Sequence, residues 1–497
     1  MSEAIPMDSH FIPLVNKLAG HRVLCIGDVM LDRYIYGQVE RISPEAPIPV
    51  LRMQREAITL GGAGNVVRNI VSLGGQVDLI GVVGQDQTGY DLASQFAGLS
   101  QVTPYLLTDN SRPTTLKTRY VADGQQLLRA DFEVSQPISE DMEQQIMLRV
   151  RGALDGCNVV ILSDYAKGVL TPRVVAEIIK LAKEKNRRIL IDPKGRDFVR
   201  YLGASLLTPN RRELAEATGS AIKNVEDAER AALQLIKTYQ LEGVLAKLGA
   251  DGVCLVMKDQ PACHFRALAR EVFDVSGAGD TVVATLALGL AGGLPVADSA
   301  ALANIAGAIV VGKIGTAAVT REELLRELMH DQARQSEEKI VGIVQATEMA
   351  ERWRKQGFKI GFTNGCFDLL HPGHISLLRQ AKAACDKLVV GLNSDESVRR
   401  LKGESRPVQN ETSRATVLAS LADVDEVVIF GEDTPVNLIK AIRPAVLVKG
   451  ADYSLDQVVG GDLVQSWGGQ VVLAKLVDGH STTATIARLK DGKKAVG

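Results

Sequence analysis

Short runs of apolar, β-branched residues alternate with longer amphipathic segments through the first two thirds of the chain. Such runs begin at His21, Asn158, Arg187 and Gly243, and each has the length and composition of a buried parallel strand. The segment PRVVAEIIKLAKEK, from Pro172, instead places apolar residues at helical spacing. This alternation predicts an α/β layered sheet that binds its ligands at the carboxyl ends of the strands.

The segment from Ile48 breaks this rhythm. The run IPVLRMQREAITL is rich in strand-forming residues, and no helical pattern follows it until Ala63. We therefore expect a small side sheet that lies over a site.

The composition changes at Arg321, where REELLRELMHDQARQSEEK carries many charges and few apolar positions. Such a segment is typical of a solvated helix and linker. A helical pattern begins at His374, and further strand patterns begin at Phe358, Lys387, Val424, Ala445 and Gly468. The chain is therefore expected to form one domain over residues 1–320, a charged linker over residues 321–340 and a second α/β domain over residues 341–497.

Composition and charge narrow the classes of protein that remain. The 497 residues are enough for about two to four domains. The 57 Lys and Arg against 59 Asp and Glu give a net charge of −2, which excludes a global basic field for nucleic acid. The six scattered cysteines form no CxxC pair, so we expect reduced thiols, no disulfide and a cytoplasmic location.

No secretory or membrane segment is expected. The start MSEAIPMDSH has acidic residues and no basic region ahead of an apolar core. The longest uncharged stretch, Thr281 to Ala297, is interrupted by three glycines and a proline, and it is shorter than the roughly 20 apolar residues of a spanning helix. It predicts a buried helix, and we expect no membrane partner.

The first candidate site is the string DVSGAGDT, which runs from Asp274 to Thr281 just before that helix. Small residues at the start of a helix let several backbone amides converge on one anion, which the helix dipole also favours. Asp280 would then accept a proton from an attacking hydroxyl. The alternative is a glycine-rich helix start in which Asp280 is an ordinary N-terminal cap.

Three motifs together resemble the PfkB family of ribokinase-like sugar kinases. They are GAGD ending at Asp280, GGAGN ending at Asn65, and the NxxE pattern from Asn210 to Glu213. The resemblance covers roughly Val23 to Thr320 and implies a ribokinase-like three-layer domain with a small β lid. One departure is Val275, where the family usually has threonine.

What this resemblance implies for the site is a kinase that uses ATP and Mg²⁺. Asp280 would be the general base, and the amides of the GAGD motif would stabilise the transferring phosphoryl group. The segment KLGADG resembles the family's TLGxxG turn beside the nucleotide, although a simple hairpin is the alternative. The implied ATP-binding residues are Asn210, Arg211, Arg212, Glu213, Gly249, Gly252, Gly277, Ala278 and Gly279, with Glu213 also serving the metal.

The sugar side of this site is implied less sharply. The resemblance places Asp28, Asp32, Gly62 and Asn65 near the substrate hydroxyls, and carboxylates accept hydrogen bonds from polyols. A phosphorylated sugar would also need a cation. The candidates, which the sequence does not rank, are Arg119, Arg129, Lys167 and Lys194.

The second candidate site is the string TNGCFDLLHPGH, from Thr363 to His374. His371 and His374 are spaced to meet on one side of the first helical turn, where they could donate hydrogen bonds to a phosphate. The alternative is a zinc site formed by Cys366 and the two histidines, but this set lacks an obvious fourth ligand.

This string resembles the GxFDxxHxGH signature of the cytidylyltransferase-like nucleotidyltransferases, and the likeness extends over about Lys359 to Ile486. It implies a Rossmann-like domain in which a substrate phosphate attacks the α-phosphorus of a nucleoside triphosphate with Mg²⁺. His371 and His374 would be catalytic. The implied ATP-binding residues are Gly365, Phe367, Lys402, Arg414, Gly450, Asp452, Ser481, Thr482 and Thr483.

The order of the two domains resembles the family of bacterial bifunctional heptose enzymes. This resemblance implies phosphorylation of D-glycero-β-D-manno-heptose 7-phosphate at O1, and adenylyl transfer from ATP to heptose 1-phosphate. The product would be ADP-heptose for the lipopolysaccharide core. The partners would be ATP and heptose phosphates, in a homodimer or other homo-oligomer to which the side sheet could contribute.

Two other interpretations remain open. The same domains could be a different sugar kinase joined to a cytidylyltransferase that makes a CDP-alcohol. A nucleotide-sensing scaffold with inactive sites is less compatible with an intact Asp280 and both histidines. A dinucleotide-dependent oxidoreductase is weaker still, because Val67 stands where the fingerprint that starts at Gly62 requires glycine.

Overall fold

The computed structural model describes residues 10–268, 272–313, 315–450 and 457–475. The chain divides into two compact units, Met1–Met329 and His330–Gly497, and each is built on its own sheet. The segment expected to be a linker forms a helix over Arg321–Glu338, and its Leu324 and Leu328 are buried in the core of the first unit. The proposed limits 1–320, 321–340 and 341–497 stay a prediction.

Thirteen strands and ten α-helices are described before residue 339. The strands are β1 (Arg22–Gly27), β2 (Val29–Ile42), β3 (Pro49–Gly62), β4 (Gln76–Val83), β5 (Val102–Thr108), β6 (Leu116–Ala122), β7 (Gln125–Phe132), β8 (Val159–Ser163), β9 (Arg188–Asp192), β10 (Leu206–Leu207), β11 (Gly243–Lys247), β12 (Val253–Met257) and β13 (Cys263–Phe265). The helices are α1 (Phe11–Val15), α2 (Ala63–Ser72), α3 (Gln87–Ala97), α4 (Glu140–Ala153), α5 (Pro172–Glu184), α6 (Arg211–Thr218), α7 (Val225–Tyr239), α8 (Ala278–Ala291), α9 (Val296–Val311) and α10 (Arg321–Glu338).

The main sheet of the first unit has nine strands in the order β13-β12-β11-β10-β9-β8-β1-β4-β5. The seven strands from β11 to β5 are parallel, and β12 and β13 run antiparallel at one edge. Along β1, Val23 and Cys25 enter one core while Leu24 and Ile26 enter another. Alternate residues of a strand face opposite sides of the sheet, so the two cores lie on its two faces. Both cores include buried residues of helices, which confirms the three-layer expectation.

A second, four-stranded sheet has the order β3-β2-β6-β7. The predicted side sheet from Ile48 is confirmed as β3, which pairs antiparallel with β2. Strand β2, which follows β1 after a single residue, Asp28, was not predicted. We call this four-stranded sheet the lid.

The uncharged stretch predicted as one buried helix is two helices. Helix α8 ends at Ala291 and α9 begins at Val296, because two glycines and Pro295 interrupt the helical hydrogen bonding between them. Within the described residues, no helix is long and apolar enough to span a membrane.

The second unit has six described strands and six described helices. They are β14 (Ile340–Val341), β15 (Ile360–Gly365), β16 (Lys387–Asn393), β17 (Glu426–Phe430), β18 (Val446–Gly450) and β19 (Gln470–Ala474), with α11 (Ile343–Lys355), α12 (Pro372–Ala383), α13 (Asp395–Lys402), α14 (Glu411–Ala419), α15 (Val436–Ile442) and α16 (Gly461–Ser466). All six strands are parallel, in the order β14-β17-β16-β15-β18-β19. Helix α12 begins at Pro372 rather than at the predicted His374, since proline is favoured at the first helical position.

Candidate active sites

The first site lies where neighbouring parallel strands of the nine-stranded sheet end. Strands β11, β10, β9, β8 and β1 stand side by side, and polar residues occur at or just after their carboxyl ends. These residues are Lys247, Asn210, Asp192, Tyr165 and Asp28. Their arrangement is that of a ligand site at the carboxyl edge of a parallel sheet.

Asp280 lies in the first turn of α8, and both of its carboxylate oxygens accept hydrogen bonds. The Tyr165 hydroxyl donates to Oδ1 over 2.6 Å, and Asn65 Nδ2 donates to Oδ2 over 2.8 Å. Burial raises the pKa of Asp280 to about 6, although the hydrogen bonds from Tyr165 and Asn65 and the charge of Lys247 oppose this rise. The position and pKa of this carboxyl group are those of a proton acceptor near neutral pH.

The alternative in which Asp280 caps the helix is wrong, because Gly277 occupies the N-cap position. Gly277 has a φ of 81°, in the left-handed region that glycine adopts without strain. A methyl group at this position would lie 2.6 Å from Asn65 Nδ2. Glycine at this position therefore allows Asn65 to pass close to the start of α8. The Ala278 amide donates to the Val275 carbonyl over 3.3 Å.

Asp28 is close to the site, but its carboxylate is engaged by the backbone. Its oxygens accept from the amides of Tyr165, Lys167 and Val169, over 2.8, 3.1 and 3.3 Å. Burial raises the pKa of Asp28 to about 6, opposed by these amide bonds. Asp28 therefore fixes the loop that carries Tyr165, and its predicted contact to the sugar stays a prediction. Gly62, at φ 57°, lets the chain pass close to the Asp28 carbonyl.

The lid contributes charged residues to the predicted sugar side. Arg119 donates to Asp32 Oδ1 over 2.6 Å. Lys117 and Lys167 both donate to Glu133, over 2.9 and 2.6 Å. Of the other two predicted cations, Arg129 is half exposed and bonded to Asp131, and Lys194 is bonded to Glu213. Lys117 was not among the predicted cations.

The NxxE motif forms the start of α6. Asn210 accepts from the Glu213 amide, and Glu213 Oε2 accepts from the Asn210 amide, each over 2.9 Å. Glu213 Oε1 accepts from Lys194 Nζ over 2.8 Å. Each oxygen of Glu213 thus accepts one hydrogen bond, and its predicted contact to the metal stays a prediction.

The two arginines of this motif point to different surroundings. Arg211 donates to the Leu248 carbonyl over 3.0 Å and pairs with Asp251, which ties α6 to the KLGADG turn. Arg212 is largely exposed and pairs with Glu216, so the structure does not bring it into the site. The turn itself, with Gly249 at φ 65° and Gly252 at φ 82°, joins the antiparallel strands β11 and β12. It is a hairpin, and its role at a nucleotide stays a prediction.

Three residues of this site were not among the predicted ones: Tyr165, Asp192 and Lys247. Lys247 Nζ and Thr208 Oγ1 both donate to Asp192 Oδ1. The available signal was position, since Lys247 is the first residue of the KLGADG segment, Asp192 lies near the end of a predicted strand and Tyr165 follows one closely.

The second site lies between β15 and α12 in the other unit. His371 is the N-cap residue of α12, and the His374 amide donates to its carbonyl over 2.9 Å. The two imidazole rings stack with centroids 3.8 Å apart and planes 19° from parallel. Phe367 packs against His374 at 5.1 Å between ring centroids. The predicted meeting of the two histidines on one side of the turn is therefore present.

The stacking also bears on the zinc alternative. The metal-binding lone pairs of imidazole lie in the ring plane, so those of two stacked rings run side by side rather than converge on one ion. Burial lowers the pKa of His374 to about 4, with further contributions from His371 and Lys402. His374 is accordingly neutral at pH 7 and has one N–H to donate.

Arg414 is placed differently from the sequence expectation. Its side chain is fully buried and donates to the carbonyls of Gln409, Cys366 and Asn393 and to Asp395, over 2.6 to 3.0 Å. With these donors engaged, the structure does not present it to a triphosphate. Arg414 instead joins the loop after β15 to the ends of β16 and α14.

The remaining predicted residues of this site divide into two groups. Lys402 ends α13 on the surface, Gly365 ends β15 and Gly450 ends β18. Phe367 has a φ of 42° and is buried. The other group lies outside the described residues: Asp452, Ser481, Thr482 and Thr483.

Two buried polar atoms near this site, Thr363 Oγ1 and Asn364 Oδ1, have no hydrogen-bond partner in the described part of the chain.

These folds and sites define an enzyme with a carbohydrate kinase domain and a nucleotidyltransferase domain. Residues 21–323 match the pfkB family carbohydrate kinases, and residues 362–482 match the cytidylyltransferase-like family. The chain belongs to the family of bifunctional HldE proteins.

Similarity to HldE proteins extends over nearly the whole chain. It is 54% identical over 481 residues to the bifunctional protein HldE of Paramagnetospirillum magneticum, covering 97% of this chain and 99% of the relative. Identity to the Caulobacter vibrioides HldE is 52% over 486 residues, covering 97% and 100%. Among solved structures, phosphofructokinase-2 from Escherichia coli is 20% identical with a TM-score of 0.55, covering 63% of this chain and 99% of that chain. This last similarity shows the fold of the kinase unit alone.

Proposed function

We infer that the chain catalyses two steps of ADP-heptose synthesis. Its kinase unit phosphorylates D-glycero-β-D-manno-heptose 7-phosphate at O1, and a separate phosphatase then removes the 7-phosphate. Its nucleotidyltransferase unit transfers AMP from ATP to D-glycero-β-D-manno-heptose 1-phosphate and releases pyrophosphate. The observation that carries this inference is the similarity to HldE proteins across both units.

In the kinase unit, we propose that Asp280 takes the proton from the sugar O1 hydroxyl. The deprotonated oxygen attacks the γ-phosphorus of ATP, and ADP leaves. Asn65 and Tyr165 hold the carboxylate, and the first-turn amides of α8 face the charge that develops on the phosphoryl oxygens. Asp28 keeps Tyr165 in place through the loop amides.

In the nucleotidyltransferase unit, an oxygen of the substrate phosphate attacks the α-phosphorus of ATP. No covalent enzyme intermediate is needed. His371 and His374 lie at the start of α12, where N–H donors and the helix dipole both favour the added negative charge. Lys402, on the surface beside them, is the proposed contact to the triphosphate.

ATP enters both reactions as its magnesium complex, so Mg²⁺ is part of the nucleotide substrate in this proposal. The ion supplies charge neutralisation to the phosphates. Glu213 is already bonded through both oxygens, and we assign it the positioning of α6 and Lys194. The use of ATP also favours a cytoplasmic location.

The 7-phosphate of the sugar is proposed to bind at Lys117, Lys167 and Arg119. Lys167 lies on the loop that carries Tyr165, and Lys117 pairs in register with Asp32, so both belong to the sugar side. Lys194 is bonded to Glu213 and is assigned to the ATP side.

A homodimer formed through the lid is the proposed oligomer. The outer strands β3 and β7 carry exposed Met53, Leu127, Leu128 and Phe132, and exposed apolar side chains on edge strands favour pairing with another chain. Light scattering across a range of protein concentrations should give the mass of a dimer. A monomer at all concentrations would exclude this interface.

The function is tested by identifying the products by mass spectrometry. The protein receives MgATP with heptose 7-phosphate, with and without a phosphatase, and separately receives heptose 1-phosphate with each nucleoside triphosphate. ADP-heptose should form from ATP, whereas CDP-linked products would favour the alternative of a cytidylyltransferase. Asp280→Asn should abolish only the kinase step and His371→Asn only the transfer step. A wild-type kinase rate in Asp280→Asn would exclude Asp280 as the base, whereas absence of both activities in the wild-type chain would favour the scaffold interpretation.

A further inference from the structure

Lys247 lies at the end of β11, and its ammonium group is inside the kinase site. The side chain is 13% exposed and pairs with Asp192, whose own side chain is 14% exposed. The Lys247 amide donates to the Pro209 carbonyl over 2.9 Å, which fixes the backbone next to the NxxE motif. A lysine held in this way cannot extend freely into solvent.

The ammonium group faces the first turn of α8. A methyl group placed on Gly279 would lie 3.2 Å from Lys247 Nζ, and Gly279 directly precedes Asp280. The first amides of a helix have no intrahelical acceptor. The Lys247 ammonium group therefore places a full positive charge beside these amides, which carry partial positive charges.

The charges around this point leave the ammonium group protonated. Burial lowers the pKa of Lys247, but Asp192, Glu213 and Asp280 outweigh burial and raise it overall. Three carboxylates thus act on the Lys247 ammonium group beside the start of α8, and a phosphate bound at that helix start would be repelled by them without a nearby cation. Lys247 is the buried lysine that meets this requirement.

We propose that Lys247 Nζ contacts the transferring phosphoryl group and is a catalytic residue of the kinase, with Asp192 as its positioning residue. This proposal rests on the kinase activity proposed above. When O1 bonds to the γ-phosphorus and the bond to the ADP oxygen breaks, the O1 proton passes to Asp280. Lys247 stays protonated throughout and stabilises the negative charge on the phosphoryl oxygens.

A purely structural role would be to neutralise Asp192. This role predicts lost stability in a variant without the ammonium group, but it does not predict recovery by a diffusible amine. A contact to the phosphoryl group predicts a fall in kcat with little change in KM for ATP. It also predicts partial recovery by an amine small enough to enter the space left by the side chain.

The experiment uses the full chain with Lys247→Ala, with Lys247→Met as the variant that retains side-chain volume. Lys180→Ala is the matched control, because Lys180 is exposed on α5. Kinase turnover is measured with methylamine and with tetramethylammonium, which lacks N–H donors. Adenylyl transfer by the same samples checks the active concentration of the chain, and circular dichroism checks folding.

We expect kcat of both Lys247 variants to fall by roughly 10²- to 10³-fold, the usual loss for one transition-state donor. Methylamine should restore part of the kcat of Lys247→Ala, whereas tetramethylammonium should not. A folded variant with kcat within about threefold of wild type, or a loss that no amine restores, would overturn the proposal. Absence of kinase activity in the wild-type chain would instead contradict the proposed function itself.

Discussion

The Tyr165 hydroxyl donates to Asp280 Oδ1 over 2.6 Å, and this bond connects two distant parts of the chain at the proposed base. Tyr165 lies on the loop after β8, which Asp28 holds through three amides. Asp280 lies at the start of α8, where Asn65 holds its other oxygen. A bond from a neutral hydroxyl to a carboxylate favours the charged form of the acid. Tyr165 therefore helps Asp280 remain ready to accept a proton despite its burial.

Tyr165→Phe should shift the pH dependence of the kinase toward higher pH. Asp280 acts as a base only when deprotonated, and its pKa is about 6 with the Tyr165 bond present. Loss of that bond raises the pKa further, so activity is lost at a higher pH as the solution is acidified. Asp192 and Lys247 also face Asp280 and are unchanged in the variant. The acidic limb of kcat/KM, which reports the free enzyme, measures the shift.

Tyr90→Phe is the control for this variant, because Tyr90 is exposed on α3. The adenylyl transfer activity of both variants should retain the wild-type pH profile. An acidic limb of Tyr165→Phe that coincides with that of wild type would show that the hydroxyl does not tune Asp280.

Lys167→Met should weaken binding of heptose 7-phosphate. Removing a charged donor to a phosphate costs a KM increase of roughly 10- to 100-fold, with KM for ATP unchanged. Lys194→Met should raise KM for ATP and leave KM for the sugar unchanged, since Lys194 is bonded to Glu213 on the ATP side. Steady-state kinetics with each substrate varied separately measures both effects. Equal effects of the two variants on the sugar KM would contradict the division into two sides.

Adenylyl transfer should show no ionisation of His374 between pH 5 and pH 9. The pKa of His374 is lowered to about 4, chiefly by burial, so the ring is neutral throughout this range. His374→Ala should nevertheless lower kcat by roughly 10²- to 10³-fold, because a donor to the transition state is lost. Kinase activity of the same chain is the control. Loss of the transfer rate with a pKa near 6.5 that disappears in His374→Ala would show that the charged ring is the active form.

The two basic residues predicted for the triphosphate should behave differently when replaced. Arg414→Met removes a fully buried guanidinium and leaves the partly buried carboxylate of Asp395 and three carbonyls without their donor, which is expected to destabilise the second unit by about 3–5 kcal/mol. Lys402→Ala should leave stability unchanged and raise KM for ATP in the transfer reaction. Both tryptophans of the chain, Trp353 and Trp467, lie in this unit, so their fluorescence during urea unfolding reports on it selectively.

A stable Arg414→Met with a raised KM for ATP would reverse these assignments. Arg399→Ala is the matched control for Lys402→Ala, because Arg399 is exposed on the same helix.

Much of the fold follows from local pattern. The strands β1, β8, β9 and β11 were predicted because each is a short β-branched run, and burial on both faces of a parallel sheet requires such runs. Strand β2 was not predicted, since its mixture of polar and apolar residues meets a partly exposed lid rather than two cores. The break between α8 and α9 was also missed, although Pro295 marked it.

The candidate sites could be predicted only in part, for a physical reason. The motifs identified Asp280 and the two histidines, because each motif contains its own reactive group. Tyr165 and Lys247 enter the kinase site through pairing of distant strands, and the sequence order of those strands does not reveal it. Arg414 was predicted to bind ATP because it lies in a motif. The motif does not reveal that its side chain donates to four acceptors within the protein.

Glu426→Gln should stabilise the second unit at alkaline pH and have little effect at pH 5. Glu426 begins β17, is 4% exposed, and has Oε2 without a hydrogen-bond partner among the described residues. Burial and the neighbouring Asp425 raise its pKa from 4.5 to about 7, opposed by Arg352 and Lys387. The folded state therefore binds more protons than the unfolded state between these two values. The free energy of unfolding must then decrease as pH rises through that window.

Glutamine resembles the protonated acid, so the free energy of unfolding of the variant does not decrease in this way as the pH rises. The gain at pH 8 is expected to be roughly 1–3 kcal/mol, measured by urea unfolding followed through tryptophan fluorescence at both pH values. Glu348→Gln, at an exposed position of α11, is the control and should change stability equally little at both. If Glu426→Gln were no more stable than wild type at pH 8, the carboxylate would have to gain a compensating partner in solution, and its burial would carry no pH-dependent cost.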